Sequence, residues 1–351
     1  TLTALSMDAG GVTAYDEGPM WLEFNNPAGS TVYAFLEAAP TFARVATVAG
    51  VSSRYNFVFD AALQQALQQA SPNSNTNTIR IGIYDDVGGV AYDYRDRTYT
   101  IKNDLGQASP IFTNFAYVDN NPTTTAVTGN NQYLIQGYSD LLVTISSANK
   151  AVPQKFATMD RYTITIGGFS NNVAYSTSAV SLSAGNTADV SGAQQLSVKA
   201  VDSRGNSRTV FKTVNVLPYA APVVNATATR ANGFDDALIL NVTGSISPLR
   251  ISSVDKNAVN PTTGVQYRVS VDGGSYGSWT NLANTQTAIT GEINGNSSPI
   301  IAAAGSASSD HSYTIQVKII DKLTETVQTI GQPAGTAIFK ISNRNTGSVS
   351  G

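Results

Sequence analysis

The sequence contains one histidine, His311, within a run of residues of the types that hydrolases use. Ser308, Asp310 and Ser312 stand beside it. A hydrolytic triad needs a nucleophile, a histidine base and a carboxylate at the corners of one site. Adjacent residues in a loop that enters a strand point in different directions, so this run does not provide that geometry. We interpret His311 as a polar loop residue and predict no catalytic residue there.

Paired carboxylates would allow a second kind of chemistry, glycoside hydrolysis, if two of them faced each other at roughly 5 to 10 Å. The same side chains could bind calcium through loop oxygens, although no Asp-x-Asp-x-Asp-Gly pattern is present. Adjacent aspartates in turn-like sequence are more simply explained by hydrogen bonds to their own backbone. We therefore predict no enzyme and no metal site. The candidates are Asp85, Asp86, Asp93, Asp96, Asp235 and Asp236.

Aromatic residues are the third candidate group, because their faces pack on sugar rings. Trp279 follows the glycine-rich stretch Asp272–Gly277, in which Asp-Gly-Gly is a strong hairpin signal. We predict an exposed position for Trp279, and we take it and Tyr276 as candidate ligand contacts. Trp21 is flanked by Met20 and Leu22 in a strand-like segment, and is predicted to lie in the core.

Composition excludes several classes of function. The chain has no cysteine, which removes disulfides, thiol catalysis and cysteine metal sites. Charged residues are 13% of the chain and the net charge is -3, with no run of Lys or Arg that would neutralise nucleic-acid phosphates. We expect no cofactor, no nucleic-acid partner and no membrane span. The first residues, Thr1 to Ala4, do not have the basic-then-apolar pattern of a signal peptide. Because the first residue is Thr1 and not Met, the sequence is compatible with a segment of a longer protein.

The candidate site residues lie on or between predicted β-strands, and one hairpin pattern recurs along the sequence. Leu196 to Val216 alternates on both sides of a turn at Asp202 to Asn206, and a Pro-bounded linker follows. Similar hairpins are predicted with turns near Asp85 and Asp321. The separations are 117 positions from Asp85 to Asp202 and 119 from Asp202 to Asp321. Because such a period is about the size of one immunoglobulin-like sandwich, the fold class predicted is all-β, with tandem immunoglobulin or fibronectin-III-like β-sandwiches.

The predicted domains follow from these hairpins. They comprise a β-sandwich over 1–104 with a short helix near 60–70, an immunoglobulin-like sandwich over 105–217, an immunoglobulin or fibronectin-III-like sandwich over 218–342, and a linker over 343–351. Asp60 can cap the helix, Ala, Leu and Gln favour it, and Pro72 lies just after it. At 103–109 and 217–222 the composition turns to Pro, Gly and small residues and strand alternation stops, so we predict that proteases cut at these two connections. Pro218 and Pro222 restrict the backbone of the second connection.

Several motifs together carry a family resemblance. They are Gln136–Ser139, Asp160–Ile164, Val201–Asn206 and Val216–Pro222, with Gln266–Val269 and Ser312–Ile315 further on. With these motifs the chain resembles a family of siphophage minor structural proteins of unknown function, from about Ser109 onward. The resemblance implies a virion component associated with the tail, and it brings no catalytic residues. One departure is the turn at Lys322 to Glu325, which lacks the glycine expected there.

These observations predict a structural module of a phage tail fibre or tail tip, outward-facing and extracellular, that spaces its neighbours and presents a host-adsorption surface. The expected partners are other virion tail proteins, further copies of the chain in a homo-oligomer, with a trimer favoured, and a host cell-surface glycan. A carbohydrate-binding module or bacterial surface adhesin of tandem sandwiches is the alternative. A polysaccharide-degrading tail enzyme is a third hypothesis, and it would need an acidic pair in one cleft.

Overall fold

The computed structural model describes residues 14–27, 29–85, 91–186, 190–230, 238–282, 292–301 and 308–335. The chain divides into two compact units. The first comprises Thr1–Val118, Leu141–Gly185 and Gln194–Val214, and the second Asp119–Asp140, Asn186–Ala193 and Asn215–Gly351. In the ranges that the structure describes, no helix is both long and apolar enough to cross a membrane. The linker predicted at 343–351 lies outside the described residues.

The first group of strands lies in the first unit, around one helix. Its strands are β1 (Ala14–Tyr15), β2 (Trp21–Glu23), β3 (Val32–Ala38), β4 (Ala43–Val51), β5 (Arg54–Asn56), β6 (Thr76–Asp85) and β7 (Ala91–Thr100). They form a sheet in the order β1-β7-β6-β3-β4 and a separate pair, β2-β5. Helix α1 (Ala61–Gln69) lies where it was predicted, and its cap is Asp60, whose Oδ1 accepts the backbone N–H of Leu63 at 2.8 Å. Leu63 and Leu67 of α1 join the core of these strands.

The second group forms two sheets, one of three strands and one of five. Its strands are β8 (Ala116–Asp119), β9 (Tyr133–Ile135), β10 (Asp140–Ile145), β11 (Met159–Ile166), β12 (Phe169–Ala174), β13 (Val180–Asn186), β14 (Gly192–Asp202) and β15 (Ser207–Leu217). The orders are β13-β10-β8 and β12-β11-β14-β15-β9. Alternation buries Tyr162, Ile164 and Ile166 of β11 and leaves Thr163 and Thr165 on the other face, as a half-buried strand requires.

The third group lies in the second unit. Its strands are β16 (Val223–Arg230), β17 (Leu238–Ser245), β18 (Arg250–Ile251), β19 (Val254–Asp255), β20 (Val265–Val271), β21 (Thr280–Asn281), β22 (Glu292–Ile301), β23 (Tyr313–Ile320) and β24 (Glu325–Gln332). The principal sheets have the orders β16-β17-β22 and β21-β20-β23-β24, and β18 and β19 form a separate pair. Ile315, Val317 and Ile319 of β23 are fully buried, so the intervening residues of this strand face outward.

One strand order occurs in all three groups and confirms the predicted fold class. The three orders are β4-β3-β6-β7, β12-β11-β14-β15 and β21-β20-β23-β24. In each, the last two strands form a hairpin, an earlier strand lies beside the first strand of that hairpin, and the strand that follows this earlier strand in sequence lies on its other side. This is the order of one sheet of immunoglobulin-like and fibronectin-III-like sandwiches. The chain is therefore an all-β protein of such modules. The predicted domain boundaries stay a prediction.

Two helices were not expected from the sequence. They are α2 (Pro122–Thr128) and α3 (Pro261–Gly264). Each begins with an Asn cap followed by Pro, and the cap side chains of Asn121 and Asn260 accept backbone N–H groups two residues later. Pro at the first helical position loses no hydrogen bond, so the repeated Asn-Pro-Thr-Thr is a local signal that the sequence analysis missed.

The hairpin between β14 and β15 has the predicted turn residues. Gly205 has φ +85°, a left-handed conformation that disfavours any side chain with a Cβ. Asp202 Oδ1 accepts the backbone N–H groups of Arg204 and Asn206 at 3.0 and 2.8 Å. Asp202 and Gly205 therefore do set this turn.

The same turn contacts the helix within the first unit. Arg204 is 8% exposed, and it donates from Nε to the carbonyl of Ser71 at 2.7 Å and from Nη2 to the carbonyl of Gln68 at 2.8 Å. These carbonyls lie at the carboxyl end of α1, where cations are favoured. Burial lowers the pKa of the Arg204 guanidinium. Hydrogen bonds thus join residues 68–71 to residue 204, on either side of the predicted boundary near 104.

The hairpin between β23 and β24 turns without glycine. Asp321 Oδ1 accepts the backbone N–H groups of Leu323 and Thr324, both at 2.8 Å. Its Oδ2 accepts from Tyr219 Oη at 3.0 Å and from Asn257 Nδ2 at 3.1 Å. Burial, and next the hydrogen bond with Asp321, raise the pKa of Tyr219. A carboxylate that closes the turn explains why the glycine is dispensable. The turn predicted after Asp85 falls at 86–90, outside the described residues.

Candidate functional site

Trp279 and Tyr276 lie in the connection between β20 and β21, in the second unit. Both side chains are half-buried, so the predicted exposure of Trp279 is only partial. A tight turn sets the start of this connection. Asp272 and Gly273 have φ +46° and +74°, and Gly274 donates its N–H to the Val271 carbonyl at 2.8 Å. Positive φ at both central residues is the hairpin geometry that Asp-Gly predicts.

Two further hydrogen bonds hold the connection against β20. Gly277 donates its N–H to the carbonyl of Val269 at 2.9 Å, and Ser270 Oγ donates to the carbonyl of Gly274 at 2.5 Å. The aromatic side chains are therefore carried by a segment with fixed backbone partners. Ordering such a segment costs little when a ligand binds, because the fold has already ordered it.

Two cations lie against the aromatic rings. The Arg268 Cζ is 4.8 Å from the ring centroid of Tyr276 and 4.5 Å from that of Trp279. The Lys318 Nζ is 4.4 Å from the centroid of Trp279. These distances are within the range of cation–π attraction. A sugar stacked on Trp279 would have to share the ring with these cations.

The polar partners of the two cations differ. Arg268 donates from Nε to Oε1 of Gln316, directly across the strand pair, at 2.7 Å. Lys318 donates from Nζ to Oε2 of Glu325 at 3.0 Å. We call this surface the Trp279 face, defined by Arg268, Tyr276, Trp279, Gln316, Lys318 and Glu325. It combines aromatic rings with cationic donors, a chemistry suited to binding.

His311 is exposed, and its partner was not foreseen. Its Nδ1 is 2.5 Å from Oδ2 of Asp272, and Ser312 donates to Oδ1 of the same carboxylate from its N at 2.8 Å and its Oγ at 3.1 Å. In a triad the serine donates to the histidine, whereas here serine and histidine both contact the aspartate. The Ser312 N–H and, next, the His311 ring hold the pKa of Asp272 below its ordinary value. The group anchors the turn below Tyr276.

Two of the acidic candidates are bonded to arginines. Asp93 contacts Arg95 at 2.5 Å, and Asp96 contacts Arg80 at 2.9 Å. Asp85 is buried at the end of β6. Within the described segments no three His, Cys, Asp or Glu residues are grouped as a metal site would require. Asp86, Asp235 and Asp236 lie outside them.

Trp21 corrects a prediction, because it is half-buried and not in the core. Met20, Leu22 and Phe24 are buried, so alternation along β2 places Trp21 on the opposite face. The Arg54 Cζ lies 4.0 Å from its ring centroid. Arg54 Nη1 in turn donates to Glu23 Oε1 at 2.9 Å.

A second arginine–aromatic cluster in the first unit was also missed. Phe35 points to the outer face of its sheet and is nevertheless fully buried. The Arg44 Cζ lies 4.0 Å from its ring centroid, and Arg44 is bonded to Glu37 at 2.9 Å. Gly82 makes room for the ring, since a Cβ there would lie 2.3 Å from Phe35 Cζ.

The sequence points to Trp279 and Tyr276 but not to Arg268, Gln316 or Lys318. Strand alternation places all three of these residues outward. Their meeting depends on the register between β20 and β23, which pairs Arg268 with Gln316. A register is a tertiary property, and the sequence offered no signal for it.

Comparisons with known proteins give one family and several weak structural likenesses. A profile described as "Siphovirus protein of unknown function (DUF859)" matches residues 42–348. A search of curated proteins finds no match. One similar solved structure is a bacterial ice-binding adhesin, studied for host cell surface retention, with 12% identity over 95% of this chain and 97% of that one and a TM-score of 0.31.

Two other solved structures are similar at the same level. A tetra-tandem repeat from the extending region of a large adhesion protein has 12% identity over 95% of this chain and 74% of that one, with a TM-score of 0.37. The fibronectin(III)-like modules of Clostridium thermocellum CbhA have 8% identity over 62% of this chain and 95% of that one, with a TM-score of 0.23.

Proposed function

The chain belongs to this family of siphovirus proteins, and from that premise we propose that it is a structural component of the virion tail. In this proposal it forms part of a tail fibre or tail tip, spaces neighbouring tail proteins, and presents an outward surface for adsorption to the host cell. Membership of the family supports a phage structural protein. The observation that carries the proposal is the family match over residues 42–348, on a chain in which one sheet order occurs three times.

We further propose that the chain is not an enzyme. Three of the candidates have structural partners: Asp93 and Asp96 are bonded to arginines, and His311 is bonded to Asp272 at a turn. In these contacts the carboxylates and the imidazole stabilise the structure. The Trp279 face offers contacts for binding, and binding is what adsorption requires.

The proposed partners are other tail proteins and further copies of the chain. Only 13% of the residues are charged, which reduces the cost of desolvating surface when subunits associate. Closed symmetry is the usual outcome for repeated copies, and we propose a trimer. A host cell-surface glycan is the proposed ligand of the outward surface.

A density map of the intact particle tests the location and copy number together. We expect the three repeated sheets to fit density in the tail, in several copies about one axis. Antibodies against the purified chain should label the tail and block adsorption. Absence of the chain from the particle, or turnover of a polysaccharide by the purified chain, would overturn the proposal.

A carbohydrate-binding module or surface adhesin is the second candidate, favoured by the position of Trp279 and Tyr276 on one connection. Adsorption of host cells by the purified chain would fit both candidates. Only the tail component predicts that the chain is found in assembled particles.

A further inference from the structure

We propose that the Trp279 face binds anionic sugars, with Arg268 against a carboxylate or phosphate and the aromatic side chains against the sugar ring. This inference rests on the proposed role in adsorption and specifies the class of glycan. The Nε of Arg268 is bonded to the neutral amide of Gln316, and its two terminal amino groups have no hydrogen-bond partner among the residues that the structure describes.

The terminal amino groups of an arginine form a planar fork that fits the oxygens of a carboxylate or a phosphate. Contact with Tyr276 and Trp279 holds the guanidinium in place, at 4.8 and 4.5 Å from their ring centroids. The third guanidinium nitrogen, Nε, donates to Gln316. A ligand anion would therefore meet a donor pair that is already oriented, beside aromatic carbon that can pack on a sugar.

The local charge has the right sign for such a ligand. The Trp279 face carries two cations, Arg268 and Lys318, and one carboxylate, Glu325, which is bonded to Lys318. Its positive surplus is on Arg268, although the chain as a whole has a net charge of -3. Charge complementarity thus favours an anion on this face.

Arginines that contact aromatic rings in the first unit provide an internal comparison. Arg54 on Trp21, Arg44 on Phe35 and Arg80 on Tyr94 are each bonded to a carboxylate, at 2.9 Å in every case. Those guanidinium groups are neutralised within the fold. Arg268 has the same aromatic contact, and no carboxylate of the described residues is bonded to it, so the position that a carboxylate takes elsewhere is available to a ligand.

The test measures binding of defined oligosaccharides to the full chain, by NMR titration or calorimetry. Tetragalacturonate supplies carboxylates, and its methyl ester is the matched neutral probe. Maltotetraose phosphate supplies a phosphate, with maltotetraose as its neutral match. We expect at least one anionic probe to bind about tenfold or more tightly than its neutral match, because a hydrogen bond to a charged group contributes enough binding free energy for a tenfold difference in Kd.

Variants assign the effect to the site. Arg268→Gln should remove the difference between the anionic and neutral probes, and Trp279→Leu should weaken both. Arg54→Gln, which alters the matched pair on Trp21, should leave binding unchanged. Melting curves will show whether each variant is folded. If Arg268→Gln unfolds, Arg268→Lys keeps a charge without the fork and should weaken binding.

Equal binding of anionic and neutral probes, or no binding of either anionic probe at about 10 mM, would overturn the inference. So would an unchanged preference in Arg268→Gln. These outcomes are separate from the location of the chain. A chain that is present in the tail but shows no preference would contradict only the inference, and a chain that binds anions but is absent from the particle would contradict only the proposed function.

Discussion

The two tryptophans of this protein make the same kind of contact in different electrostatic settings. Trp21 lies against Arg54, and Trp279 lies against Arg268, with guanidinium carbons 4.0 and 4.5 Å from the ring centroids. Arg54 is closed by Glu23, which is its direct neighbour across the strand pair. Arg268 has Gln316 in the corresponding cross-strand position.

The difference between carboxylate and amide separates a structural contact from a candidate binding site. When an arginine is paired with a carboxylate, its charge is balanced and its N–H donors are occupied by the carboxylate oxygens. When an arginine is bonded to a neutral amide through Nε, its charge is not balanced by that partner, and its two terminal amino groups can still donate. Aromatic residues alone would not have distinguished the two places, because the partner of the arginine decides what each can bind.

In the first unit, Arg44 contacts Phe35 and is paired with Glu37, and this cluster depends on Gly82. Of the substitutions considered, Gly82→Ala should have the largest effect on stability. A Cβ would lie 2.3 Å from Phe35 Cζ and 2.9 Å from the Asp93 carbonyl oxygen, so the ring beneath Arg44 must move. We expect a loss of about 1 to 3 kcal/mol, the usual range for overpacking. Chemical denaturation of the full chain, read with a probe in the first unit, measures it.

Gly331→Ala is the matched control, since nothing lies within 4 Å of a Cβ at that strand position. It should leave stability nearly unchanged. Anion binding at the Trp279 face should survive both substitutions. An unfolding free energy of Gly82→Ala equal to that of the native chain would show that Phe35 is not confined as described.

Gln316→Glu should convert the Trp279 face into a closed one. The new carboxylate would take the Nε donor of Arg268, now 2.7 Å from the amide oxygen, and would neutralise the guanidinium. We expect anionic oligosaccharides to bind about tenfold more weakly, or about 1.4 kcal/mol, measured by calorimetry. Gln195→Glu, which adds the same charge at an exposed position of β14, should have no such effect. An unaffected anion affinity in Gln316→Glu would contradict the role of Arg268.

Glu23→Gln makes the reverse change at Trp21. The side chains of Arg54 and Glu23 are 48% and 49% exposed, so their ion pair is largely screened by water. We expect a loss of only about 0.2 to 1 kcal/mol, together with a smaller dependence of stability on salt. Melting curves at low and high salt measure both. A loss of several kcal/mol would mean that the pair holds more of the fold than its exposure suggests.

The smallest effect concerns pH at the turn below Tyr276. The pKa of Asp272 is lowered from its ordinary value of 3.8 by the Ser312 N–H and then by His311. Its contribution to stability is therefore complete above pH 3.8 and is lost as the pH falls through the lower, folded-state pKa. Asp272→Asn should flatten that part of the stability curve, measured by denaturation at successive pH values. An identical acid response in the variant would exclude Asp272 as a contributor.

Local signals were enough for much of the fold. The Asp60 cap and the Ala, Leu and Gln residues after it predicted α1. Asp202 and Gly205 predicted a turn that has the expected hydrogen bonds and positive φ. The Asn-Pro starts of α2 and α3 are equally local signals. These predictions work because a cap or a turn is satisfied within a few residues.

The candidate site was less accessible from the sequence. Trp279 and Tyr276 could be selected because a glycine-rich turn precedes them. Trp21 was misplaced, although strand alternation with Met20 and Leu22 already placed it on the opposite face. The sequence neighbours of His311 do not include its partner Asp272, which lies 39 positions away along the chain.

The sequence by itself determined the class of this protein: alternating strands, turn residues at repeated positions, no cysteine and little charge specify disulfide-free β-sandwich modules, and several motifs resemble one family. Tertiary structure alone decided which arginine is paired with a carboxylate and which with an amide. The physical reason is that strand alternation fixes the face on which a side chain lies, while the register between strands fixes its partner. Register arises only when the sheet forms, and at Arg268 it places the neutral amide of Gln316 opposite a cation that contacts two aromatic rings.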